Sequence, residues 1–254
     1  MKLRRALFAA VLLTLVPAVA TADRRYFLQS YTPYLSPAGE TEVEFHAIAG
    51  NGQGDSTNTS WGNRFEVEYG ITDRVTGALY LNFVQPGGEG AAMAFDGPSL
   101  ELIGRLADRG KIPLDPALYL EVRESGTELE VEPKLLLAHR RGGLVCVANL
   151  IGEFETTHPG GATSRALRLT GGVSREFGPV VAVGIEALYH HQFETAASNP
   201  SMLLLGPTIN LQKEKVQFSL AWHPQIWGDP ASAGGLDLRD FPRSEVRLLL
   251  GLEL

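Results

Sequence analysis

Only one cysteine, Cys146, occurs in the 254 residues, so no intramolecular disulfide can brace the chain. It lies in an apolar alternating stretch, where a lipid-facing or packed side chain is expected rather than a reactive thiol. Long hydrophobic runs are missing too. The longest, residues 6–16, falls well short of the roughly 20 residues that a spanning helix needs. Basic residues are outnumbered, 22 Lys and Arg against 29 Asp and Glu, and the formal charge of −7 argues against nucleic acid as a partner. Also missing is any histidine with a serine two residues away, a pair that could share one strand face as base and nucleophile.

The first 22 residues have the order of an export signal: Lys2, Arg4 and Arg5, the short apolar run, then Ala20-Thr21-Ala22 as a small-residue cleavage site. The mature chain is expected to begin at Asp23, where the absence of cysteine disfavours a lipoprotein. Loss of the signal leaves 19 basic residues against 29 acidic ones, a formal charge of −10. An exported chain without a spanning helix is either soluble beyond the inner membrane or crosses the outer membrane as strands. Its 28 glycines cluster with Pro, Asn and Asp between alternating runs, as in an all-β chain.

Period-two alternation is clearest at the end. In 244–254, Val246, Leu248, Leu250, Leu252 and Leu254 share one face, with Glu245, Arg247 and Glu253 on the other. The same pattern places Trp61, Phe65, Val67, Tyr69 and Ile71 opposite Arg64, Glu66 and Glu68. After a turn at Thr72-Asp73, Val75, Gly77, Leu79, Leu81 and Phe83 lie opposite Thr76, Tyr80 and Asn82. Further strands are expected at 41–49, 98–107, 117–124, 128–139, 144–155, 165–177, 180–193, 202–212 and 216–224, twelve in all.

Connections tend to alternate in length. Those near 72, 140–143, 178–179 and 213–215 are short, although 108–116 is longer; those at 50–60, 85–97, 156–164, 194–201 and 225–243 are long and polar, with a tight one at Ser125-Gly126. Twelve strands, short turns on one side and long loops on the other predict an antiparallel transmembrane β-barrel with both termini periplasmic. Residues 1–22 would be the signal, 23–40 a lead-in and 41–254 the barrel. Trp61 and Tyr69, eight residues apart on the outer face, would sit roughly 19 Å apart along the membrane normal after a tilt of about 45°. They mark two interfacial girdles, joined by Phe83, Phe154, Tyr189 and Trp222 on the outer side and Phe177 on the inner. Pro133 and Pro207 fall inside strands, where a bulge or a shifted boundary is expected.

The decapeptide 65–74, FEVEYGITDR, followed by an alternating strand, resembles the strand, turn and strand signature of Gram-negative outer-membrane barrels. Upstream, 31–40, YTPYLSPAGE, resembles the lead-in to the first strand in poorly characterised barrels related to transporters linked with phenol degradation. The resemblance covers roughly residues 26–83. It implies a porin-like protein of the outer membrane and brings no catalytic motif. Such barrels usually end in an aromatic residue read by the barrel-assembly machinery; this chain ends in Leu254, and the closing strand is expected to serve that recognition.

Inward parity gives the lumen-lining candidates: Arg64, Glu66, Glu68, Arg105, Glu121, Arg123, Glu130, Glu132, Lys134, Glu153, Arg168, Glu186, Glu245 and Arg247, with Glu42, Glu44, Glu101 and Glu253 adding to the acidic side. The surplus favours cations in a wide lumen, whereas in a narrow one the charges must pair. A two-residue turn at Ser125-Gly126 would set Arg123 against Glu128 and Glu121 against Glu130, an opposed like-charge pair. Lys134, Arg105, a bound cation or a proton could neutralise that pair.

His46, His158, His190, His191 and His223 fall in the outer half, and solvated imidazoles are the expectation there; a site joining His158 to His190 has no spacing to support it. The run 86–90, PGGEG, joins no strand to a helix and is a loop rather than a phosphate cradle. No cofactor, metal or catalytic group is predicted. The expected function is passive passage of small solutes through a polar, net acidic lumen, with outer-membrane lipid as the surroundings. The alternatives are a closed barrel acting through its outer loops and, less favoured, a lipid-modifying enzyme.

Overall fold

In a computed structural model, residues 24–54, 59–193 and 199–254 are described; the proposed signal and cleavage site lie outside them. Twelve antiparallel strands form one closed barrel, each paired with its sequence neighbours and the last with the first. They are β1 (Thr41–Asn51), β2 (Thr59–Thr72), β3 (Val75–Gln85), β4 (Ala94–Arg105), β5 (Asp115–Glu124), β6 (Glu128–Arg141), β7 (Leu144–Thr157), β8 (Thr163–Phe177), β9 (Val181–Gln192), β10 (Ser201–Lys213), β11 (Val216–Asp229) and β12 (Ser244–Glu253). Closure comes from β12 against β1, in a register that sets Phe45 opposite Leu250 and Glu42 opposite Glu253.

Alternation decides which way each side chain points. On β2, Phe65, Val67, Tyr69 and Ile71 are exposed on the outside, while Glu66 and Glu68 are buried within. Leu79 and Leu81 of β3 face out, and Thr76, Tyr80 and Asn82 face in. Exposed apolar side chains cover the outer surface all round, whereas the interior holds most of the chain's buried carboxylates. Phe45, Phe65, Phe83 and Phe95 form a run of rings across β1 to β4, with centroids 4.9, 6.1 and 5.4 Å apart. Phe154, Trp222 and Trp227 are exposed on the outer wall, and Phe177 is exposed at the opposite rim. Cys146 is half-buried between the inward Val145 and Val147, and so points outward.

Neither proline carries a bulge at its own position: across Pro207 the β10–β11 pairing keeps one register from Leu204 opposite Gln225 to Thr208 opposite Ala221. The register shifts between Leu203 and Leu204, leaving Ile226 as an extra residue in β11. β11 therefore runs on past Pro224 to Asp229, beyond the predicted end at 224. At Pro133 there is no bulge. The β6–β7 ladder keeps its register and merely loses the pairings of 132–133 with 152–153. Those are the positions that a bond from residue 133 N–H to the Gly152 carbonyl would close, and proline has no N–H to give.

The Ser125-Gly126 turn is a correction. Ser125 N–H donates to the Glu128 carbonyl at 2.9 Å, so Ser125 lies opposite Glu128 and the two-residue turn is Gly126-Thr127, one position later than predicted, with Gly126 at φ +82°. The register therefore sets Arg123 against Glu130 and Glu121 against Glu132, two places from the predicted pairing.

Candidate functional site

Residues 24–40 do not extend the first strand; they lie inside the barrel. The segment starts at the short-turn end, where the Arg24 guanidinium donates to the carbonyls of Pro179 at 2.9 Å and Val180 at 2.5 Å. It rises to a tip at 28–31 and returns to the same end, where Gly39 N–H donates to the Gly70 carbonyl and Gly70 N–H to the Glu40 carbonyl. At Gly70 a Cβ would lie 2.0 Å from the Pro37 carbonyl oxygen, so this close approach requires glycine.

The tip is held by one carboxylate. Glu186 of β9 accepts the backbone N–H groups of Leu28, Gln29 and Ser30 at 3.1, 2.9 and 2.6 Å. Successive N–H groups converging on an anion form a nest, here filled by the protein's own side chain. Around it, Gln29 Nε2 donates to Glu245 at 2.8 Å, and Asn149 of β7 both accepts from Tyr31 N–H and donates to its carbonyl. On the way up, the Arg25 guanidinium meets Glu44, Glu66 and Glu68 at 3.3, 3.7 and 3.4 Å. On the way down, Ser36 Oγ donates to Glu68 at 2.6 Å.

Apolar contacts complete the plug. Tyr26, Phe27 and Tyr34 are buried against Ala138, Val145, Val147 and Ala182, inward side chains that would otherwise line the lumen. Tyr31 and Leu35 pack similarly on Ile103, Ala117, Tyr119 and Leu136. Each large apolar side chain so covered contributes roughly 1.5–3 kcal/mol relative to exposure. These inward apolar residues, from Ile103 to Ala182, were the sequence signal for a plug, since a polar lumen has no use for them.

At the long-loop end, residues 230–243 fold inward. Gln225 Nε2 donates to the carbonyls of Asp237 and Pro242 at 3.0 and 3.1 Å, and Phe241 packs with Leu188, Met202 and Leu204, 5.3 Å from the His190 ring. Beneath this loop His223 is fully buried, its Nε2 3.2 Å from Glu186. His46 is half-buried with its Nε2 3.0 Å from both Glu44 and Glu66. The expectation of solvated outer histidines therefore fails for both, because inward parity places them behind the plug or the loop. His158 stays in the 158–162 connection, and His190 points inward against Phe241. Among the described residues no set of metal-ligating side chains joins His158 to His190.

A cavity lies on each side of the plug. The outer one, about 440 Å³, is lined by the tip residues Leu28, Gln29 and Tyr31 and by Arg64, Arg123, Lys134, Arg168, Arg247, Asp96, Glu121, Glu130 and Glu132. The other, about 500 Å³, opens between Arg24, Tyr26, Arg109, Arg140, Glu176 and the turn at 178–180. Glu66, Glu68, Glu186 and Glu245 thus face the plug, and the outer cavity collects the basic candidates. Arg64 and Lys134 both pair with Glu121; Lys134 and Arg168 share Glu132, at 2.8 and 2.5 Å. Arg123 bridges Asp96 and Glu130 at 2.7 and 2.6 Å, Arg168 also meets Glu153, and Arg247 pairs with Glu245 at 3.0 Å. Of the groups expected to neutralise Glu121, Lys134 does so. Arg105 does not, because it sits at the short-turn end donating to the Asp73 carbonyl.

The fold is shared with channels of the outer membrane. The barrel is similar to the COG4313 outer membrane channel from Pseudomonas putida F1, with a TM-score of 0.59 and 13% identity over 90% of this chain and 100% of that one. It is similar to the NanC porin (TM-score 0.58, 7% identity, 84% and 100% covered) and to the KdgM porin solved in complex with disordered oligogalacturonate (0.55, 7%, 84% and 99%). At these identities the likeness is one of fold. No curated protein matches the chain. None of the comparisons carries the link to phenol degradation, and residues 140–254 match a family of unknown function, DUF6662.

Proposed function

We propose that the protein is a porin-like channel of the outer membrane whose passive path for small solutes is occupied, in the state seen here, by its own N-terminal segment. The observation that carries this is the placing of cavities of about 440 and 500 Å³ on the two sides of a hydrogen-bonded plug within a closed barrel. The apolar outer surface suits lipid, and a closed barrel leaves no strand edge unpaired there. The short-turn end and both termini would face the periplasm, with β12 offered to the assembly machinery.

The plug changes the reading of the lumen charge. Its backbone and Arg25 engage Glu44, Glu66, Glu68 and Glu186, so a solute in the outer cavity meets five cationic side chains beside four carboxylates. A net acidic path would belong to the barrel without its plug.

The plug's many contacts also favour the alternative, a barrel that stays closed and acts through its outer loops. Planar-bilayer recording separates the two. Discrete openings from the chain beginning at Asp23 support the channel; silence from that chain at all voltages, with steady conductance only after residues 24–39 are deleted, supports the closed barrel.

A further inference from the structure

One wall of the lumen carries more buried carboxyl groups than it has basic partners among the described residues. Glu42, Glu44, Glu66, Glu68 and Glu101 come from β1, β2 and β4 and are all buried. Among the described residues Arg25 is the only Lys or Arg paired with any of them. Glu42 accepts from Gln217, Glu68 from Ser36 and Glu101 from Tyr80, all neutral donors.

Within this wall three groups converge on one point. His46 Nε2 lies 3.0 Å from a carboxylate oxygen of Glu44 and 3.0 Å from one of Glu66. An imidazole nitrogen carries at most one proton, so it can donate fully to one of these oxygens and leaves the other short of a partner. Arg25 approaches Glu44 and Glu66 through their other oxygens, so the plug leaves the converging set free. A second trio, Glu66, Glu68 and Glu101, brings its oxygens within 4.8 Å of one another, sharing Glu66 with the first. Buried oxygens in it, Glu66 Oε1 and Glu101 Oε1, have no hydrogen-bond partner, although these residues are 1% and 4% exposed.

We propose that Glu44, His46 and Glu66 bind a divalent metal ion of the zinc type. A donor set of one imidazole nitrogen and carboxylate oxygens suits zinc and its first-row neighbours, whereas calcium and magnesium favour oxygen ligands alone. The ion would replace the shared proton as the common partner of all three groups. Glu68 and Glu101 stand behind Glu66 as further oxygen donors or as partners for a bound water. Because Arg25 holds the opposite edges of the same carboxylates, ion and plug occupy the wall together.

The test is calorimetric titration of zinc chloride into chelator-treated, detergent-folded protein beginning at Asp23. One equivalent per chain is expected, with affinity falling at least tenfold in His46→Gln and in Glu66→Gln and unchanged in His158→Gln. Heat-modifiable mobility on a denaturing gel checks that each variant has folded. Copper(II) loaded into the unmutated protein gives a second measurement, with coupling to a single imidazole nitrogen expected in its electron paramagnetic resonance spectrum. Absence of saturable binding, equal affinity in the His46 and Glu66 variants, or a copper spectrum without nitrogen coupling would overturn the assignment. None of these readouts depends on conductance, so the metal site and the channel can fail separately.

Discussion

Glu186 shows what a single side chain does here. A carboxylate accepting three backbone N–H groups replaces the water that the plug tip would otherwise recruit, and hydrogen bonds to a charged group are each worth about 1.5–3 kcal/mol. Glu186→Gln keeps the shape and removes the charge, so the tip should loosen by a few kcal/mol at most while the barrel stays folded. Limited proteolysis within residues 24–40, faster in the variant than in the unmutated protein, is the expected result. Gly172 tests the same element from the wall. A Cβ there would lie 2.4 Å from the Phe27 ring, so Gly172→Val should drive the ring from its site and expose the segment without breaking a strand pairing. Gly206 is different in kind, because its Cβ would lie 1.8 Å from the Trp222 carbonyl oxygen, a backbone atom. Gly206→Ala should therefore destabilise the β10–β11 pairing itself, seen as loss of heat-modifiable mobility at a lower temperature.

Among the elements, β6 and the lead-in were read with unequal success. The extents of β6 came close to prediction because alternation is local: Leu129, Val131, Leu135 and Leu137 lie on one face whatever their neighbours do. Its pairing partners were missed by two residues. Register depends on which residues form the turn, and the left-handed Gly126 takes the first place of a Gly126-Thr127 turn, so a shift of one residue from Ser125-Gly126 moves every pairing by two. Pro133 offers a direct test at this scale. Pro133→Val restores a donor toward the Gly152 carbonyl at an outward position, and a gain of about 1 kcal/mol in unfolding free energy is expected, measured by urea titration of tryptophan fluorescence. The lead-in had no periodicity to read. Its place in the lumen follows from partners scattered over β1, β2, β7, β9 and β12, which come together only when the barrel closes.

At the scale of the molecule, charge is the property that the plug redistributes. Deleting residues 24–39 removes Arg24 and Arg25 and frees the carboxylates of Glu44, Glu66, Glu68 and Glu186 toward the lumen. Under a potassium chloride gradient the deletion should therefore shift the reversal potential toward cation selectivity relative to the intact chain, and more strongly at low salt, where screening is weaker. An unshifted reversal potential in a conducting deletion would show that these carboxylates do not face the ion path.

The sequence by itself determined the barrel: twelve alternating segments, their inward and outward faces, and the seam between β12 and β1. Each of these rests on the two-residue repeat of a strand, which is a property of neighbouring residues alone. Only the tertiary structure decided what fills the barrel, because that depends on contacts between residues far apart in the chain. The wall built from Glu44, Glu66 and Glu68 looked like an acidic lining for solutes until Arg25 was found against it. Glu186 became a latch once three N–H groups from a distant segment were seen to converge on it.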